Sequence, residues 1–249
     1  KYMNMKLKNV LYSMMAAVAL TAGSASGSTV AGDGGIFSTL LAGGVEANVT
    51  ASSKELFRGA DRGDNYVAAS VGTEFDLAGV SVATGLTFQD NDVSDLETVF
   101  GLKATKSLGD YDVSLAFNHY TEATDLVGDI TSEVGLGVSK TVGPVDLSLT
   151  QWFAVDGDND EYGEVGVTWK PAINIASNEV FVKGAVGYVL GESELTHAQV
   201  TVSTDFSLPW ELTASPFVTG VLSLSDDAQG IYADADSEVV VGFRLGRAF

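Results

Sequence analysis

The sequence predicts an all-β fold, a transmembrane antiparallel up-and-down β-barrel of about twelve strands. Three observations predict it. Apolar residues alternate with small or polar ones in run after run. The connections between runs alternate between tight turns and longer acidic stretches. The N-terminus carries a basic, then apolar, then small-residue leader.

Bulk properties narrow the field first. The chain has 249 residues, with 33 acidic side chains against 13 Lys plus Arg and a net charge of −20. Nucleic acid is excluded as a partner, because phosphate neutralisation needs clustered cations. There is no Cys, so neither a disulfide scaffold nor a thiolate metal site is available. Yet 45% of residues are hydrophobic and mean hydropathy is positive. Strong charge and high apolar content coexist when apolar residues are spread singly along strands.

From Met5 the chain reads MKLKNVLYSMMAAVALTAGSASGS. Lys6 and Lys8 make a positive start, Val10 to Ala22 an apolar stretch, and Gly23 to Ser26 a small-residue cleavage region. The apolar run is short for a spanning helix. Residues 1–26 are therefore read as a signal peptide, with residues 1–4 upstream of it. Residues 27–44 form an N-terminal segment, either a plug or a periplasmic arm; Ile36, Phe37, Leu40 and Leu41 would give it one apolar side. Residues 45–249 are the barrel.

The strands follow in order by period two. A weaker first strand runs through Val45, Ala47, Val49 and Ala51. Val67 to Leu77 and Val80 to Phe88 make a hairpin about Ala78-Gly79. Leu96 to Ala104 and Tyr111 to Phe117 make the next, about Gly109-Asp110. Val134 to Val138 and Val145 to Phe153 flank Gly143-Pro144. Val165 to Trp169, Val180 to Leu190, Ala198 to Phe206 and Leu212 to Leu224 continue the rhythm. Val239, Val241, Phe243 and Leu245 close it. The strand lengths suit a tilted crossing of a bilayer.

Tight connections also include PAINIASN and SLPWE. The long set is RGADRGDN, QDNDVSD, TEATDLVGD, DGDNDE, LGESE and SDDAQGIYADADSE. Short periplasmic turns opposite longer outer loops mark a membrane barrel, and an even strand count puts both ends in the periplasm. Phe75, Tyr111, Trp169, Phe206 and Trp210 gather at the short-turn ends, as an interfacial girdle does. A soluble sandwich or lipocalin-like barrel also alternates, but its second face would be rich in Lys, Glu and Thr. Here that face is mostly Gly, Ala, Ser and Thr.

The terminal strand resembles the final strand of bacterial outer-membrane barrels, whose closing aromatic is read by the insertion machinery. Phe243, Leu245 and Phe249 match that signal, while Arg247 interrupts the outward row. An Arg there can snorkel to headgroups. The first hairpin resembles that of the TorF-type porins, in which a strand ends in aromatic-Arg-Gly before a polar loop. Phe57, Arg58 and Gly59 are the matching residues. The resemblance implies a small outer-membrane porin without an assigned solute, and it carries over no catalytic residue.

Enzyme signatures are thin. His119 and Ser132 share the lipid-facing parity, an arrangement similar to that of the twelve-stranded outer-membrane phospholipases, but the Asn and Ser-Asn-Gly-like surroundings of that family are missing. His197 has lumen parity. Asp156, Asp158 and Asp160 have D-x-D-x-D spacing, but Glu161 replaces the EF-hand glycine and no Glu stands at the twelfth position. The stretch reads as a solvated loop. No phosphate-binding loop or nucleophile elbow occurs. The expectation is no enzyme, no cofactor and no metal site.

Parity assigns Glu46, Glu74, Asp76, Glu97, Asp112 and Glu133 to the lumen. It adds Asp146, Glu164 and Asp205, against Arg58, Lys103, Lys183 and Arg244. Asp90, Asp92, Asp226 and Asp227 add outer-loop charge. Carboxylate-lined pores concentrate cations. The expected function is a porin for passive, cation-preferring diffusion of small solutes or ions across the outer membrane. A surface or structural barrel with a closed lumen is the alternative. Expected partners are outer-membrane lipid, lipopolysaccharide and the barrel-insertion machinery.

Overall fold

A computed structural model describes residues 44–58, 60–90, 96–121, 132–155, 161–176, 178–190, 194–224 and 237–248. The expected signal peptide, residues 27–43 of the N-terminal segment, most of the long acidic connections and Phe249 lie outside them.

The described residues form a closed antiparallel barrel of twelve staves. Its strands are β1 (Val45–Phe57), β2 (Ala60–Leu77), β3 (Val80–Asp90), β4 (Glu97–Leu108), β5 (Tyr111–Thr121), β6 (Ser132–Val142) and β7 (Val145–Ala154). Next come β8 (Tyr162–Trp169), the short β9 (Asn174–Ile175) and β10 (Asn178–Val189). The chain continues through β11 (Glu194–Thr204), the short β12 (Phe206–Leu208), β13 (Leu212–Ser223) and β14 (Glu238–Ala248). β9 pairs only with the start of β10. β12 continues β11 in the same register against β13, from Ser203↔Phe217 to Phe206↔Ala214. The ladder breaks between them opposite Pro216, which has no N–H to donate. Closure is made by β1 against β14, from Glu46↔Ala248 to Ser52↔Gly242.

Turn chemistry sets the register at the short-turn end. Ala78 and Gly79 both have positive φ, 55° and 77°, as a two-residue hairpin requires. Gly109 and Gly143 take 66° and 60°. Trp210 and Glu211 hold the same region at 65° and 61° without being glycine.

One connection differs from the sequence reading. RGADRGDN is not a long loop: β1 runs to Phe57, Arg58 turns the chain with φ 53°, and β2 resumes pairing at Ala60. The cause is local. The register slips between Glu55 and Leu56, so polar residues 60–66 continue the ladder. Arg58 thus sits in a tight turn rather than on a strand.

The barrel is inside-out relative to a soluble domain. Leu115 and Leu136, paired across β5 and β6, are 53% and 52% exposed on the exterior. Apolar side chains of every full-length stave share that surface, among them Leu86, Leu147, Val165, Val200, Val218 and Val241. The largest fully buried side chains are instead Tyr162, His197, Glu97 and Glu133. An apolar exterior around a polar interior is the surface lipid selects.

Candidate functional site: the lumen

Side chains of directly paired residues share a face, so the ladders trace the lumen from strand to strand. One path runs Glu74↔Ala83↔Lys103↔Ala116↔Gly135↔Trp152↔Tyr162. Another runs Asp146↔Thr168↔Lys183↔Thr201↔Thr219. Glu46, Arg244, Glu97, Glu133, Glu164 and Asp112 lie on this same face by register. Asp76 shares it through Ser81, and Asp205 faces Ser215 across the Pro216 break.

These charges are sorted by depth. At the short-turn end, Glu46, Glu74, Asp76, Asp112, Asp146 and Asp205 each sit within a few residues of a turn or strand terminus. Each is held by a neighbouring donor. Asn48 Nδ2 donates to Glu46 at 2.8 Å, and the amide of Gly79 to Asp76 at 3.1 Å. Ser107 donates to Asp112 at 2.6 Å, Thr141 to Asp146 at 2.6 Å, and Ser215 to Asp205 at 2.5 Å. Ser81 donates to Glu74. For Glu74, Asp112, Asp146 and Asp205 the donor comes from the neighbouring strand, and for Glu46 and Asp76 from the same strand or its turn, so each carboxyl group is held in place.

One level further in stand Lys103, Lys183 and Arg244. Lys103 is within electrostatic reach of Asp112 and Glu74, and Arg244 of Asp205 and Glu46. In the sheet order β5 to β8 separate β4 from β10, β11 to β13 separate β10 from β14, and β1 to β3 separate β14 from β4. The three cations are therefore distributed round the circumference.

Towards the long-loop end the lumen narrows. Arg58 leaves its turn on the β1 side and pairs with Glu133 on β6. Its guanidinium lies over the Tyr162 ring at 4.5 Å and the Trp152 ring at 5.9 Å. Tyr120 donates to Glu133 at 2.6 Å and Asn118 Nδ2 at 3.0 Å. Tyr162 stacks on His197 with centroids 6.3 Å apart and 1° between planes. The register shift near Gly187 turns both Thr196 and His197 inward, 1% exposed each, with Thr196 Oγ1 3.0 Å from His197 Nδ1. Glycine clears the space: a Cβ on Gly135 would meet the Trp152 ring at 2.6 Å, and one on Gly187 the His197 ring at 2.5 Å. Beneath this closure lies a cavity of about 330 Å³, bordered by Arg58, Lys103, Asn118, Trp152, Lys183 and Gln199 among others.

Asn118, Tyr120, Trp152, Tyr162 and the hydroxyl donors are absent from the residues singled out by parity of charge. A signal for Trp152 exists in the sequence. It is a large aromatic with lumen parity, on a face otherwise built of Gly, Ser and Thr. The partnership of Arg58 with Glu133, 75 residues apart, has no such local signal.

On the exterior, His119 Nδ1 lies 3.0 Å from Ser132 Oγ, a directly paired couple. Among the described residues no Asp, Glu or Asn orients the other ring nitrogen. Phe243 is exposed on the outer face of β14, Leu245 follows it at the same parity, and Arg247 pairs with Glu211 at 3.5 Å.

No family model matches the chain, and no curated protein matches it. The first-hairpin resemblance therefore stands on its residues alone. Solved structures do match. The COG4313 outer membrane channel from Pseudomonas putida F1 aligns over 85% of this chain and 97% of its own, with 10% identity and a TM-score of 0.56. A structure from work on the in-meso crystallization of membrane proteins aligns over 83% of this chain and 84% of its own, with 10% identity and a TM-score of 0.50. At such identity the likeness is one of fold alone.

Proposed function

We propose that the protein is an outer-membrane porin through which small solutes diffuse passively, with a preference for cations. The observation that carries this reading is the pairing of a continuous apolar exterior with a polar lumen whose short-turn mouth is ringed by fixed carboxylates. Cations gather at such a mouth, and the low-dielectric wall focuses the field. Lipopolysaccharide and outer-membrane phospholipid are the expected surroundings, and assembly is assigned to the barrel-insertion machinery through the terminal strand. The protein is read as non-enzymatic, because the His119–Ser132 contact lacks an orienting acid among the described residues.

A closed structural barrel is the second reading, favoured by the Arg58–Glu133 pair across the lumen. Refolded protein in a planar bilayer under a potassium chloride gradient separates the two. A reversal potential of cation-selective sign supports the porin. An anion-selective sign removes the cation preference, and absence of any conductance leaves the closed barrel.

A further inference from the structure

The cavity beneath Arg58 has two unmatched groups on one wall. Asn118 is 3% exposed, and its Nδ2 donates to Glu133 at 3.0 Å and lies 3.4 Å from the Tyr120 hydroxyl. Its Oδ1 is buried with no partner. The amide orientation follows from its neighbour, since only the NH2 side can donate to a carboxylate. A buried amide oxygen left without a donor costs free energy. Next to it is Lys103. Among the described residues Lys103 forms no ion pair within 4.0 Å, although the mouth carboxylates Asp112 and Glu74 act on it from a distance.

The two residues are diagonal neighbours. Gly101 pairs with Asn118 and Lys103 with Ala116, so both side chains enter the lumen from adjacent strands two residues out of register. Such diagonals stand about 7–8 Å apart at the backbone, within reach of a long side chain. An unmatched cation beside an unmatched acceptor calls for a ligand with a negative group and an N–H donor a few ångströms apart. The head group of an α-amino acid has that form. A simple cation would satisfy Asn118 but be repelled by Lys103. A simple anion would meet Lys103 and face Glu133 and Glu164, which also border the cavity. A neutral polyol could satisfy the amide but leaves the ammonium without its charge partner.

We propose that this cavity is a holding site for small zwitterionic solutes, with the carboxylate on Lys103 and the ammonium on Asn118 Oδ1. The volume of about 330 Å³ accommodates a small amino acid. The inference rests on the channel reading for access to the cavity and names its solute class.

Trp152 borders the same cavity, which gives a readout independent of conduction. In a W169F/W210F background only Trp152 fluoresces. The test titrates refolded protein with L-threonine and, separately, with erythritol, a neutral polyol of similar size. Saturable quenching or shift by threonine alone is expected. K103Q and N118A should each weaken the threonine midpoint about tenfold or more, the scale of one charged hydrogen bond. Heat-modifiable migration on gels shows that each variant is folded, and L149A, on the exterior face away from the cavity, serves as the control that leaves the midpoint unchanged. Threonine should also block potassium current saturably in the bilayer. A fluorescence titration without any channel current supports the site and overturns the porin. Current with no titration, or an equal response to erythritol, overturns the site and leaves the porin. Unchanged midpoints in folded K103Q and N118A overturn the assignment of these residues.

Discussion

Arg58 and Glu133 face each other from opposite walls of the barrel and form a buried ion pair, 8% and 3% exposed at their side chains. The Arg58 guanidinium also caps two aromatic rings, those of Tyr162 and Trp152. Breaking such a pair by removing one partner leaves an uncompensated charge. Arg58→Ala should therefore destabilise the barrel by about 3–5 kcal/mol and raise single-channel conductance roughly twofold. Urea titration in vesicles and bilayer recording measure both. Unaltered conductance would mean that the constriction lies elsewhere.

The two faces make a second prediction. Leu115→Arg, Leu136→Arg or Val167→Arg puts charge into the lipid and should cost about 2–4 kcal/mol. Thr168→Arg, on the lumen face, should cost less and mainly alter conductance. Gly137 is not a fair lumen control, because a Cβ there meets Ser114 Oγ at 2.4 Å. Folding free energies in lipid vesicles test the contrast, and equal costs on both faces would contradict the assignment of the exterior.

How far this was legible from sequence depends on range. Period-two alternation located nearly every strand, since facing is a local property of the backbone. The same parity put Glu97 and Lys103 on one face. The depth order of the charges was not legible, because it depends on register and on which end of each strand a residue occupies. Asp112, second in β5, and Lys103, mid-β4, look alike in a list of charges. The polar start of β2 read as a loop because Asp61, Arg62 and Asp64 suggest solvent, whereas Asp61 and Asp64 pair with Leu56 and Lys54 of β1 and Arg62 is the residue passed over at the register shift. The inward turn of Thr196 beside His197 needs a bulge that alternation cannot announce.

Glycine packing supplies a third prediction. Gly187→Ala would drive a methyl into His197 and Thr196, at 2.5 and 2.7 Å. Both neighbours are buried, so neither can move freely. The expected loss is about 1–3 kcal/mol, as for overpacked cores. Gly220→Ala, with nothing within 4 Å, is the matched control. Thermal migration shifts on gels compare the two, and an equal effect would show that the crowding around His197 is readily relieved.

The carboxylate mouth yields a fourth. Replacing Asp112, Asp146 and Asp205 together by Asn removes half of the ring while keeping its shape. The reversal potential under a potassium chloride gradient should move toward zero. In the unaltered protein the preference should fade as salt exceeds 0.1 M, where screening acts within about 10 Å. A reversal potential unchanged by the triple substitution would place selectivity outside this ring.

Because β1 closes on β14, no stave is an edge, and a proline inside a stave has no unpaired side to occupy. Pro216 is such a residue. Its place opposite the β11–β12 break leaves one seam of the barrel stitched by Ser215 and Asp205 rather than by a continuous ladder. That seam is where the wall can breathe. Backbone amides at Thr204 to Phe206 should trade their hydrogens with solvent sooner than those of the uninterrupted β4–β5 pair, so that the barrel's slow opening begins there.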